Sequence, residues 1–283
     1  MNIRNYRKHL LGEAAFKSFV PTPLSEIQVI HTEELDKLIM ETERAMRQFN
    51  DDASQLSEEQ IKQLMWQEAE NSCKLALGEQ PLSFGFMPDA DNSLEEDTDN
   101  LLKATSYAIE AMDELPLSAR LLKNIHYLIC NSERYGKKYP GEFRTSTVWI
   151  GWKGNGLKDA MFVPPVYDDM VEAFSDLERY INYEDSENVF VRAALIHYQF
   201  EMIHPFIDGN GRVGRLLNTL YLMEQHVLKY PVLQLSSVLK KRILGYYMEI
   251  QHVNKTGAYN DWLRFYLTAI KSACSMAPVR RWN

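Results

Sequence analysis

The sequence predicts a mainly α protein, a helical bundle with one β-hairpin flap, and three observations predict it. Apolar residues recur at helical spacing over most of the chain from residue 33 onward. Residues 189–203 are apolar on nearly every face, which marks a helix in the middle of a bundle. One stretch only, residues 147–163, combines β-branched and aromatic residues with the turn dipeptide Asn155-Gly156.

In chain order, residues 17–30 carry Pro21 and Pro23 without a helical period and read as an extended arm packed over something else. Leu35, Leu38, Ile39 and Met46 predict a helix over 33–49, and Ser57 with Glu59 and Gln60 reads as the N-cap and first turn of a helix over 58–77. Residues 79–98, with Pro81, Gly85, Pro88, Asp89, Asp91 and Asn92, read as a long loop whose acidic run Glu95-Glu96-Asp97 is a solvated helix start. Helix returns over 99–131, and Pro140-Gly141 closes that region. The hairpin follows at 148–163, ended by Pro164-Pro165; an isolated two-stranded hairpin is marginal in water, so it must lean on helices. From 166 the helical period resumes. Pro205 disfavours the α conformation at His204, so the buried helix stops there. A new helix begins near Asn210, a good N-cap, with Val213, Leu216, Leu217 and Leu220 on one face.

Composition narrows the function classes. A net charge of −8 argues against general binding to nucleic acid or an anionic membrane. The basic N-terminus has no apolar stretch behind it, so no secretory signal is expected, and no apolar run approaches the roughly 18 residues of a membrane span. Cys73, Cys130 and Cys274 are odd in number and far apart, which fits neither a disulfide framework nor a Cys-x-x-Cys site; a reducing cytoplasm is the expected compartment.

The chemistry concentrates in residues 204–215, His-Pro-Phe-Ile-Asp-Gly-Asn-Gly-Arg-Val-Gly-Arg. The predicted geometry is helix, tight glycine loop, helix. Arg212 and Arg215 stand three apart in the first turns of the second helix, where the dipole already disfavours positive charge. A bound phosphate would resolve that conflict, because backbone N–H groups, dipole and two guanidinium forks would converge on it; two solvated arginines at a frayed start is the alternative. The match to Gly-x-Gly-x-x-Gly is discounted, since a helix and not a strand precedes it. His204 suits a general base and Asp208 a Mg²⁺ ligand beside phosphates. His197, Glu201 and His204 also share a helical face and could ligate zinc, although His197 lies in so apolar a run that a core role fits it better.

With these residues in hand, the segment resembles the Fic family signature, His-x-Phe-x-Asp/Glu-Gly-Asn-Gly-Arg-x-x-Arg, with every fixed position filled from His204 to Arg215. Pro140-Gly141-x-Phe143-Arg144, Val148-Trp149-Ile150-Gly151, Val163-Pro164-Pro165 and Tyr246-Tyr247 ahead of Asn254 also look like landmarks of that family, in the same order. The resemblance implies an enzyme that transfers AMP from Mg-ATP to a Ser, Thr or Tyr hydroxyl of a target protein and releases pyrophosphate. UMP or phosphoryl transfer, or a catalytically silent nucleotide-binding module, are the alternatives.

By motif position, the resemblance makes His204 the base and Asp208 the Mg²⁺ residue. The backbone of Gly209, Asn210 and Gly211 would form an anion hole, with Val213 and Gly214 in the same nucleotide-contacting turn. Arg212 and Arg215 would hold the β- and γ-phosphates, Phe206 would anchor the loop in the core, and Tyr246 and Asn254 would line the adenosine side. The flap, Val148, Trp149, Ile150 and Gly151, would dock the target by strand addition. It further implies a division into an N-terminal arm and helical region, 1–98, and a catalytic domain, 99–283. Members with this layout carry an inhibitory glutamate on the helix before the loop. Here that position is Ala76, so the usual clamp is not expected and Arg215 would be free; Glu79, three residues on, is the alternative clamp and could serve only with a shifted backbone.

Overall fold

The structure, a computed structural model, describes residues 5–10, 15–77, 93–151 and 156–276. The mainly α expectation holds. Ten α-helices are described: α1 (Glu33–Ala53), α2 (Glu58–Leu77), α3 (Ser93–Ala111), α4 (Ala119–Ile129), α5 (Tyr167–Tyr183), α6 (Val189–Ile203), α7 (Asn210–Glu224), α8 (Leu235–Lys241), α9 (Ile243–Thr256) and α10 (Tyr259–Ser275). None among the described residues is long and apolar enough to cross a membrane.

The helix starts follow local chemistry. Thr32 caps α1 by accepting from the Leu35 N–H at 3.2 Å. At α2, Ser57 Oγ accepts from Gln60 N at 3.3 Å while Gln60 Oε1 accepts from Ser57 N at 2.9 Å, a reciprocal capping box. The stretch expected as one helix over 99–131 is two, α3 and α4, separated around Pro116, which has no N–H to continue the ladder. The expected loop 79–98 is shortened from its far end, because α3 begins at Ser93; residues 78–92, including Glu79, lie outside the described residues. The expected domain boundary at 98–99 therefore falls inside α3.

Helix α6 is central, as its all-round apolar sequence requires. It is buried along nearly its whole length and packs against α5, α7 and α10. Helix α7 runs back along it from the loop at 204–209, and α2, α3 and α4 cover the other side of α7. The three cysteines are buried and unpaired.

The β structure departs from expectation. The two-stranded antiparallel sheet pairs β1 (Tyr6–His9) with β2 (Phe16–Phe19), in the arm where no strand pair is expected. Among the described residues the flap 148–163 is reduced to one bridge, Ile150 with Phe162, through Ile150 N to Phe162 O at 2.8 Å and Phe162 N to Ile150 O at 3.1 Å. Two features shorten it. Residues 157–159 fold into a 3-10 turn, and Pro164-Pro165 cannot donate to a ladder. The turn residue Asn155 lies outside the described residues. The flap does lean on its neighbours: Phe19 N donates to Val163 O at 2.8 Å, and the Phe19 and Phe162 rings meet at 5.5 Å. Arg7 of β1 pairs with the buried Asp169 at the start of α5.

Candidate active site

The loop between α6 and α7 is built by three devices. His204 ends α6 in the left-handed region (φ 49°, ψ 60°), with its N–H still donating to Phe200 O at 3.0 Å. Asn210 then closes the loop on itself: its Oδ1 accepts from Phe206 N at 2.9 Å and its Nδ2 donates to Phe206 O at 2.8 Å. Gly209, at φ 80°, makes the turn into α7. The N-cap is thus Gly209, not Asn210 as the sequence suggests, because the Asn210 amide is engaged across the loop. Phe206 is fully buried, as expected of an anchor, and stacks on His126 with centroids 3.8 Å apart.

Two residues that sequence reasoning did not place in the site hold this loop from outside. Arg144 is almost fully buried and donates to four carbonyls: His204 at 2.7 Å, Ile203 at 3.2 Å, Pro165 at 2.6 Å and Ser146 at 3.2 Å. It ties the end of α6 to both feet of the flap. His126 of α4 accepts from Gly141 N at Nδ1 (2.8 Å), so its proton lies on Nε2, which donates to Asp208 O at 3.0 Å. Burial pushes the His126 pKa down to about 4, so the ring is neutral in that role.

The ionic chemistry lies on the same side. Asp208 pairs with Lys138, accepts from Gly209 N at 2.6 Å and lies 3.8 Å from Arg212 Nη2. Burial would raise its pKa, but Arg212, Lys138 and the Gly209 amide outweigh that and hold it below the ordinary value. Arg212 is buried; its Nη2 donates to Tyr135 Oη at 2.9 Å and its Nη1 lies 3.4 Å from Asp97 Oδ2. Asp97 is therefore not part of a solvated acidic run. It is buried on α3 between Arg212 and Arg134. Arg212 Nε is buried with no hydrogen-bond partner among the described residues.

Arg215 is not free. Its Nε donates to Ser72 Oγ and its Nη2 to Ser72 O, both at 2.8 Å, so α2 holds the guanidinium with two neutral acceptors. Ala76, one turn further along α2, is exposed. Beneath Arg215 the Glu201 carboxyl is pushed up to about 7 by burial, which the Arg215 charge only partly offsets.

His204 is half-buried, with Nδ1 3.4 Å from Glu201 O. That carbonyl can only accept, so Nδ1 carries the proton and Nε2 the lone pair. Burial, then the Arg144 charge, lowers its pKa to about 4. Tyr246 and Asn254 of α9 are both buried. The Tyr246 hydroxyl lies 3.0 Å from His197 Nε2, and Asn254 Oδ1 accepts from Tyr198 at 2.6 Å, both in the core. The same contacts dispose of the zinc grouping: His197 is bound by Tyr246 and, at Nδ1, by Gly214 O at 3.3 Å. No group of three metal-ligating side chains occurs among the described residues. Of the flap residues, Trp149 is exposed, Ile150 carries the bridge and Gly151 is buried against residues 159–161.

Comparison with known proteins bears on the family and the fold. Residues 116–222 match the Fic/DOC family. Over 85 residues the chain is 41% identical to the protein adenylyltransferase Fic of Drosophila ananassae and 39% identical to that of Drosophila melanogaster. Each match spans 29% of this chain and 15% of the relative's length. A Fic family protein from Desulfovibrio desulfuricans G20 has the same fold, with a TM-score of 0.72, 21% identity, and coverage of 91% of this chain and 78% of that one. A Fic domain containing signaling protein from Bacteroides thetaiotaomicron VPI-5482 follows at 0.60, with 19% identity over 85% and 95%. The family match thus covers residues 116–222, the stretch that holds the 204–215 loop, and the two solved structures share the fold.

Proposed function

We propose that the chain is a protein adenylyltransferase, moving AMP from Mg-ATP to a Ser, Thr or Tyr hydroxyl of a protein target with release of pyrophosphate. The observation that carries the reading is the loop itself: a neutral histidine with its lone pair on Nε2, four residues before a carboxylate, at the mouth of a helix N-terminus flanked by two buried arginines.

The groups fit a polyphosphate. The first turn of α7 leaves N–H groups without intrahelical partners, and the dipole favours an anion there. Arg212 Nε is a buried donor without a partner, and a Cβ on Gly211 would come within 2.9 Å of Arg215 Nη1, so glycine leaves that cradle open. They also fit Mg²⁺: one carboxylate with phosphate oxygens suffices for this ion, and the Lys138 ammonium already stands on Asp208 where a hard cation would sit. Asp208 is the residue that would hold it. The metal would supply charge neutralisation on the phosphates.

In this chain's own terms, the α7 turn and the two arginines position the phosphates, and His204 Nε2 receives the hydroxyl proton as the new P–O bond forms. A weakly basic imidazole suffices, because transfer of a phosphorus centre depends mainly on alignment and charge stabilisation. Residues 99–283 would be the catalytic unit, with α1 and α2 as its regulatory cover. The exposed Trp149 beside the Ile150 bridge suits a target segment added to the flap.

Incubation with Mg²⁺, cell lysate and ATP labelled at the α- or the γ-phosphate tests the reading. Protein-bound label from the α position alone is expected. Label from the γ position would mean phosphoryl transfer, and none from either would mean a silent module.

A further inference from the structure

Lys138 closes the 3-10 turn Glu133–Lys138, and the chain then reverses through Tyr139 (φ 52°, ψ 65°) and Gly141 (φ 82°). The reversal delivers its ammonium to Asp208 Oδ2, 5.2 Å from the Tyr135 ring centroid. Asp208 Oδ1 already accepts from Gly209 N and faces Arg212. Both oxygens of the one carboxylate suited to a metal are thus engaged by positive or donor groups, and a divalent ion at Oδ2 meets the ammonium first.

We propose that Lys138 is the resident counter-ion of Asp208, which a divalent cation must displace, so that metal loading is an exchange of cations. The proposal rests on the reading of Asp208 as the metal residue. Three cations, Arg134, Arg212 and Lys138, stand on two carboxylates, Asp97 and Asp208. Displaced from Asp208, the ammonium can meet an incoming phosphate. Metal alone therefore binds weakly, metal and polyphosphate bind with positive coupling, and by linkage each strengthens the other equally.

Mn²⁺ binding to the full chain, followed by the loss of the free-ion paramagnetic resonance signal, tests this without catalysis. Lys138→Met and Lys138→Gln, each checked for folding by thermal melting, should bind Mn²⁺ at least fivefold tighter than the native protein in the absence of nucleotide. Lys138→Arg should stay within twofold, and adding Asp208→Asn should erase the gain. Inorganic pyrophosphate should tighten Mn²⁺ binding more in the native protein than in Lys138→Met. Equal or weaker Mn²⁺ affinity in both Lys138→Met and Lys138→Gln, or a gain that survives Asp208→Asn, overturns the proposal. Should the exchange be found while no α-label is transferred, the adenylyltransferase reading fails and this one stands.

Discussion

Arg215 of α7 donates to both the hydroxyl and the carbonyl oxygen of Ser72 on α2, each at 2.8 Å. The acceptors are neutral, and a phosphate or carboxylate makes a bond about twice as strong to the same guanidinium. A nucleotide can therefore take Arg215 from Ser72, whereas a competing carboxylate on α2 could keep it. Ala76→Glu places one on the next turn of the same face, worth roughly 1.5–3 kcal/mol against the neutral pair. Transfer at sub-saturating ATP should fall by about tenfold or more. An unchanged rate would show that position 76 does not reach Arg215.

His204 sets the acid limb of the pH profile. A base must be unprotonated, and burial together with Arg144 lowers this one from the ordinary 6.5 to about 4. At pH 5.5 an unshifted histidine would keep only about a tenth of its neutral form, while His204 remains almost wholly neutral. The transfer rate at saturating Mg-ATP should therefore change by less than about twofold between pH 7.5 and 5.5. His204→Ala should lower it by about 10²–10⁴ with ATP affinity nearly unchanged. Half-loss near pH 6.5 would contradict the buried, neutral imidazole.

What the sequence shows of this site is what lies within one turn or one loop. Helix α6 and the 204–215 motif are legible because periodicity, Pro205 and the glycines act locally. Arg144 and His126 reach the loop across 60 and 82 residues of chain, and nothing in their own neighbourhoods signals which carbonyl each will meet. Asp97 shows the same limit: it reads as solvated beside Glu95 and Glu96, and only the packing of α3 on α7 turns it onto Arg212. For Tyr246 and Asn254, spacing places both on α9 but cannot reveal that their polar atoms close hydrogen bonds in the core. The flap has strand composition, yet its ladder is limited by a 3-10 turn and its support comes from β2, an element near the N-terminus.

Arg144 can be tested as the tie between α6 and the flap. Its four carbonyl partners are served by a planar fork that a lysine cannot reproduce. Arg144→Met leaves those acceptors without a charged donor and should cost about 3 kcal/mol or more, a fall in Tm of roughly 6 °C or greater at this chain length. Arg144→Lys should recover only part of it. A Tm within 2 °C of the native value for Arg144→Met would mean that water replaces the guanidinium at no cost.

The two glycines inside α7 should separate stability from chemistry. A Cβ on Gly214 would lie 2.6 Å from Glu201 Oε1 and 2.9 Å from Phe200 Cδ1, both on α6, so an added methyl pushes two packed helices apart. Overpacking of that kind costs about 1–3 kcal/mol, more than the gain of roughly 1 kcal/mol from alanine's better helix propensity. Gly214→Ala should therefore lower Tm. At Gly211 the nearest atom, 2.9 Å from the added Cβ, is Arg215 Nη1, the movable end of a long side chain. There the helix gains propensity, while the guanidinium that must give way is held by Ser72 through two bonds, so Gly211→Ala should lower Tm less than Gly214→Ala. Transfer should nevertheless fall, because the methyl and the shifted Arg215 occupy the space a phosphate needs. Calorimetry and labelled-ATP transfer on the two variants decide it: a stable, fully active Gly211→Ala would show that this turn of α7 does not cradle the nucleotide.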